Sequence, residues 1–93
     1  MRRRRRTIYI GDQRWKIQRD KRLAGKYGEC DYGAKTIRLC SSLTGFDSLG
    51  TLIHEVLHAR LPDLSEEVVA DLEETLITLI EAEGFRHADD HED

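Results

Sequence analysis

"TLIHEVLHARLPDLSEEVVADLEE", residues 51–74, is the stretch on which the reading of this chain turns. Its apolar residues recur at helical spacing, and Pro62 cuts it in two, because a proline disfavours helical geometry at the preceding residue, Leu61. One helix therefore runs to about Arg60 from a cap at Thr44 or Asp47. A second starts within "PDLSEE", where Asp63 followed three residues later by Glu66 resembles a capping box and Ser65 is an equally good cap. It continues to about Glu83, before Gly84. At about 100° per residue, Leu49, Leu52, Ile53, Val56 and Leu57 gather on one side of the first helix, with His54 and His58 opposite. On the second, Val68, Val69, Leu72, Leu76, Leu79 and Ile80 form the expected buried face, and Glu67, Asp71, Glu74 and Thr78 the opposite one.

The chain before the helices reads as strands. "TIYIG" (residues 7–11) and "RWKIQR" (residues 14–19) are rich in β-branched and aromatic residues and flank a glycine turn, so they form a hairpin or two paired strands. "ECDY" and "KTIRLC" flank Gly33 and Ala34 as a second hairpin, whose register sets Cys30 opposite Ile37. Residues 19–29, "RDKRLAGKYGE", carry no sustained period and connect the two. Strands first and helices last give an α+β class: a small sheet of about four short strands followed by two packed helices.

Composition bounds the rest. A chain of 93 residues, 39% hydrophobic and 35% charged, suits a single domain over residues 1–93, with a basic arm at 1–6 and a polar acidic tail at 86–93. No apolar run approaches the ~20 residues of a membrane span, and no signal-like apolar segment follows the first arginines, so the expected location is the cytoplasm. The net charge of −3 hides an asymmetry. Residues 1–26 hold 11 Lys/Arg against 2 Asp/Glu, and residues 27–93 hold 4 against 16. The run Arg2, Arg3, Arg4, Arg5, Arg6 can touch phosphates or rest against the acidic part of its own chain. Cys30 and Cys40 form no CxxC pair and indicate no disulfide framework; both read as small, buried or half-buried thiols.

"HEVLH", residues 54–58, carries the chemistry. Side chains at i and i+4 stack on one helix face, so His54 and His58 can reach one metal ion. Glu55 leans to the side where an activated water sits, and a carboxylate there can take the water's proton and deliver it to a leaving amine. With 4 His and 9 Glu in 93 residues, chance yields the pattern with a probability of only about two per cent. A hydrolytic zinc needs a third protein ligand. Glu66, Glu67, Asp71, Glu73 and Glu74 compete for that place. Helical angle favours the aligned set Glu67, Asp71 and Glu74, and of these Glu67 lies in the first turn and nearest His58, with Asp71 one turn on to orient a ligand histidine.

"HEVLH" and "EVVAD" (residues 67–71) together resemble the paired motifs of gluzincin metallopeptidases, His-Glu-x-x-His followed on the next helix by Glu-x-x-Ala-Asp. The resemblance implies His54, His58 and Glu67 as zinc ligands, Glu55 as general base, and Asp71 as hydrogen-bond partner of a ligand histidine. The short layout is similar to the minigluzincins, a minimal zincin core, and to small HExxH proteins encoded in tailed phages, which would place it in a host cytoplasm. It departs from larger members in a short gap between His58 and Glu67 and in lacking an evident helix before the strands.

In such peptidases an edge strand aligns the substrate, and "KTIRL" (residues 35–39), with Lys35 and Ile37, is the expected one. Tyr32 and Tyr27, or His87 and His91 from the tail, are the candidates for an oxyanion donor. The expected function is thus a zinc-dependent metallopeptidase holding one Zn2+ per chain and acting on a peptide or protein. The alternatives are a catalytically silent, zinc-stabilised binding module and a nucleic-acid-associated protein acting through its basic arm with Lys16, Arg19, Lys21, Arg22 and Lys26, where only Tyr9 and Trp15 supply aromatic platforms.

Overall fold

The computed structural model describes residues 5–21, 23 and 25–86, with the side chain of Arg5 excepted. The expectations placed on residues 2–4, on Arg22 and on His87, His91 and the rest of the tail lie outside the described residues. The architecture is α+β: β1 (Arg5–Ile10), β2 (Gln13–Asp20), β3 (Gly28–Asp31) and β4 (Thr36–Cys40) precede α1 (Gly45–Arg60) and α2 (Glu66–Ala82).

β1 and β2 form a tight antiparallel hairpin in which Ile10 partners Gln13 across Gly11 and Asp12. Gly11 has φ of 66°, the left-handed conformation that the first position of a two-residue hairpin loop requires. β3 and β4 form the second hairpin, with Cys30 opposite Ile37 as the sequence predicts. The Asp31 side chain accepts a hydrogen bond from the Ala34 N–H at 3.0 Å and closes that turn. Between the hairpins the strand order is β1-β2-β4-β3, because β4 slots in parallel beside β2 and leaves β3 at the edge. The expected edge strand "KTIRL" is therefore interior, paired on both sides. Its Ile37 is fully buried, and Lys35 sits exposed in the turn.

One face of the sheet carries the core. Ile10, Trp15, Ile17, Ile37 and Leu39 form a buried cluster, on which α1 lays Leu52, Val56 and Ala59. Arg19 of β2 reaches the same helix, donating to the buried Ser48 hydroxyl at 2.8 Å. Since Ile37 is completely enclosed, Ile37→Ala is expected to cost about 2–5 kcal/mol, read as a shift in the denaturant midpoint, a large share of a small domain's stability.

α1 stops where Leu61 leaves helical geometry ahead of Pro62. Thr44 occupies its N-cap without a side-chain cap bond. At the start of α2 the cap is Ser65, whose hydroxyl accepts from the Val68 N–H at 3.2 Å. Its far end closes with Gly84 at φ of 88° and bonds from Gly84 to Glu81 and from Phe85 to Ile80, the Schellman arrangement.

The layers are sheet, α1, α2. Among the described residues α2 touches α1 and no strand. This corrects the expected burial on α2: Val69 is fully enclosed, whereas Val68, Leu76 and Leu79 are exposed. The helix docks through the side bearing Val69, Glu73 and Ile77, rotated away from the centre of its apolar arc, because Gly50 of α1 admits Glu73 and Ile77 at close range. None of the helices among the described residues is long and apolar enough to cross a membrane.

Candidate metal centre

His54 and His58 project from successive turns of α1 into the seam with α2, their ring centroids 5.0 Å apart. The short turn around Pro62 returns the start of α2 to the last two turns of α1. Glu66, the first residue of α2, bridges the pair: its Oε2 lies 2.8 Å from His54 Nε2 and its Oε1 2.7 Å from His58 Nε2. On the far side of the first ring, Glu73 Oε1 stands 2.8 Å from His54 Nδ1. With Nδ1 donating to Glu73, the Nε2 of His54 is the ring nitrogen that faces Glu66, so two imidazoles and a carboxylate are gathered where they could hold a metal ion.

These three residues form the one His/Cys/Asp/Glu group among the described residues whose ligand atoms gather within 4.8 Å of one another. The donor set, two imidazoles and one carboxylate from neighbouring helices, could hold a metal ion.

The charges agree with that geometry. Burial opposes the charged form of His54, but its bond to Glu73 and the charges of Glu66 and Glu55 outweigh burial and raise its pKa. Burial likewise works against the Glu66 carboxylate, yet the bond from His58 and the nearby His54 hold its pKa below the ordinary value. Glu55 is the buried carboxylate of α1, set between the histidines and β3. Burial raises its pKa against the pull of His54 and His58.

The seam is open to solvent. A groove of about 480 Å³ is lined by Gly28, Cys30 and Tyr32 on one side and by His54, Glu55, His58 and Glu66 on the other. It continues past Thr51 and Glu73 into a further cavity of about 310 Å³. Gly28 lets β3 close on the helix: a Cβ there would lie 2.7 Å from the Thr51 methyl and 3.2 Å from the Arg38 carbonyl oxygen.

The chain matches no protein-family model, and no curated protein or solved structure is significantly similar to it. Residue geometry is what speaks here.

It places the expected residues as follows. His54, Glu55 and His58 all line the groove. Glu67 is exposed and stands outside the group, and Glu66 takes the position beside the histidines. Asp71 is also exposed, and Glu73 holds His54 instead. The reason is the rotation of α2: Glu66 and Glu73 are seven residues apart, hence about 20° apart around the helix, and both lie within about 60° of Val69 on the docked side. Glu67 and Asp71 turn roughly 100° and 140° from Glu66, out to water. A signal for the pair existed in the sequence, since the spacing of Glu66, Glu73 and Ile77 matches one stripe on the helix.

Tyr32 lines the groove, but its hydroxyl donates to the His58 carbonyl at 2.9 Å, tying the β3–β4 turn to the last turn of α1. Cys30 also faces the groove; burial, with Glu55 next, pushes its thiol up to about 11.

Gly50, one turn before His54, allows Glu73 its place: a Cβ there would lie 2.8 Å from Glu73 Oε2. Glu73→Ala is expected to weaken metal binding by about 10- to 100-fold, the range for a residue that orients a ligand histidine. Gly50→Ala should shift affinity in the same direction with little loss of stability, because only the end of a flexible side chain has to move. Titration against a chelating zinc indicator, beside a melting curve, separates the two effects.

Proposed function

We propose that this chain is a minimal zinc-dependent peptidase, with His54, His58 and Glu66 as the metal ligands and Glu55 as general base. The observation that carries the reading is the convergence of both histidine Nε2 atoms on the Glu66 carboxylate in an open groove that the buried Glu55 also lines. Zinc, when bound, supplies Lewis acidity and lowers the pKa of a water towards ~7. Glu55 accepts the proton of the attacking water and passes it to the leaving amine, and its raised pKa suits both transfers. Glu73 fixes the tautomer of His54.

β3 replaces "KTIRL" as the strand that aligns a substrate. Among the described residues it pairs with β4 on one side only, and its Gly28 and Cys30 border the groove, so an extended peptide can add to its other edge. The short turn between the helices leaves the groove shallow, which suits a flexible or unfolded segment better than a deeply inserted side chain. Purification without added metal is expected to yield close to one zinc per chain, and the zinc-loaded protein to cleave members of a peptide library in a chelator-sensitive way. A zinc-loaded chain that cleaves none of them would remove the enzymatic reading.

One observation favours a second role for the same metal. Among the described residues α2 packs on α1 and no strand, through few fully enclosed residues, so a metal held by His54, His58 and Glu66 would staple the outer layer to the rest. In a purely structural site, zinc would raise the melting temperature while Glu55→Gln changed nothing that can be measured.

A further inference from the structure

We propose that the solvent face of the β1–β2 hairpin binds single-stranded nucleic acid, with Tyr9 as a base-stacking platform and Arg14 and Lys16 as phosphate contacts. Side chains alternate across a strand, and Trp15 and Ile17 point into the core, so Arg14, Lys16 and Gln18 occupy the outer face of β2. Ladder pairing sets Tyr9 directly opposite Arg14 and Thr7 directly opposite Lys16. Tyr9 is 71% exposed, a whole ring open to water beside two cations roughly 6.6 Å apart along one strand. Trp15, the other aromatic of this stretch, lies on the core side and takes no part.

The charge on this face has a boundary. Arg38 of β4 is neutralised by Asp20 at the far end of β2 and by Glu29 and Asp31 of β3. On the β1–β2 half, neither Arg14 nor Lys16 has a carboxylate partner among the described residues. The acidic side chains Glu67, Asp71 and Glu74 lie on α2, beyond α1, at the opposite end of the layered stack. A polyanion is thus drawn to the hairpin and repelled from the helical side.

An aromatic ring flanked by cations, with Thr7 and Gln18 as neutral hydrogen-bonding neighbours, suits unpaired bases and their phosphates; a lipid surface would want apolar side chains to insert, and this patch offers none. The surface is separate from the metal centre, so the proposal stands or falls independently of the peptidase reading.

The test is fluorescence anisotropy of the full chain with a labelled oligothymidine of about 15 nucleotides across a salt series. Binding is expected to weaken with salt, and Arg14→Ala and Lys16→Ala each to reduce the log–log salt slope by roughly 0.7. Tyr9→Ala should weaken binding about tenfold with little change in slope, and Tyr9→Phe should restore it. All four variants should keep the wild-type melting temperature, which verifies the fold. Wild-type binding by Tyr9→Ala, with loss only on deleting residues 2–4, would assign the effect to the arginine run and overturn the proposal. So would failure to bind at low salt, or binding of phosphatidylserine vesicles but not of the oligonucleotide.

Discussion

Glu66→Ala is expected to lower zinc affinity by roughly 100-fold or more, while Glu67→Ala leaves it within about twofold. The contrast is sharp because the two residues are adjacent, both exposed and both acidic, so composition and net charge change identically. Only direction differs. Glu66 places one carboxylate oxygen at 2.8 Å from His54 Nε2 and the other at 2.7 Å from His58 Nε2, whereas Glu67 lies outside the group. Neither substitution disturbs the helix start, since the Ser65 cap and its bond to Val68 are untouched. Competition with a zinc chelator of known affinity measures both. Equal losses in the two variants, or a loss confined to Glu67→Ala, would restore the ligand assignment implied by the gluzincin-like spacing.

Glu55→Gln is expected to reduce peptide hydrolysis by about 10²- to 10⁴-fold while zinc stays bound at the wild-type affinity. Glutamine keeps the shape of the side chain and loses the ability to take a proton. The site is buried, so the neutral amide is tolerated without the desolvation cost that a carboxylate carries there. Stability should therefore hold or rise slightly. A fall in zinc affinity comparable to that of Glu66→Ala would instead make Glu55 a ligand, and undiminished turnover would remove it from the chemistry.

Much of this molecule is legible without coordinates because local rules govern it. The stop before Pro62, the glycine at Gly84 and the Cys30–Ile37 register each follow from a few neighbouring residues, while the choice of Ser65 over Asp63 as the cap of α2 comes from the structure. The pairing of His54 with His58 needs nothing beyond the pitch of a helix.

Two decisions belong to contacts between distant segments. The parallel pairing of β4 with β2 has no short-range signal, and it moves Lys35 and Ile37 from an expected edge to the interior, handing the free edge to β3. The rotation of α2 is the other. Its apolar residues cover an arc wide enough to permit several docking angles, so amphipathicity alone does not choose among them. Close approach at Gly50 and the enclosure of Val69 choose one, leaving Val68, Leu76 and Leu79 exposed and bringing Glu66 and Glu73 to the histidines. The sequence by itself determined that a histidine pair with a neighbouring glutamate would sit on a helix followed closely by an acidic one. Which carboxylate meets them was decided by side-chain packing across the helix–helix seam, where a turn of about 100° exchanges one glutamate for the next.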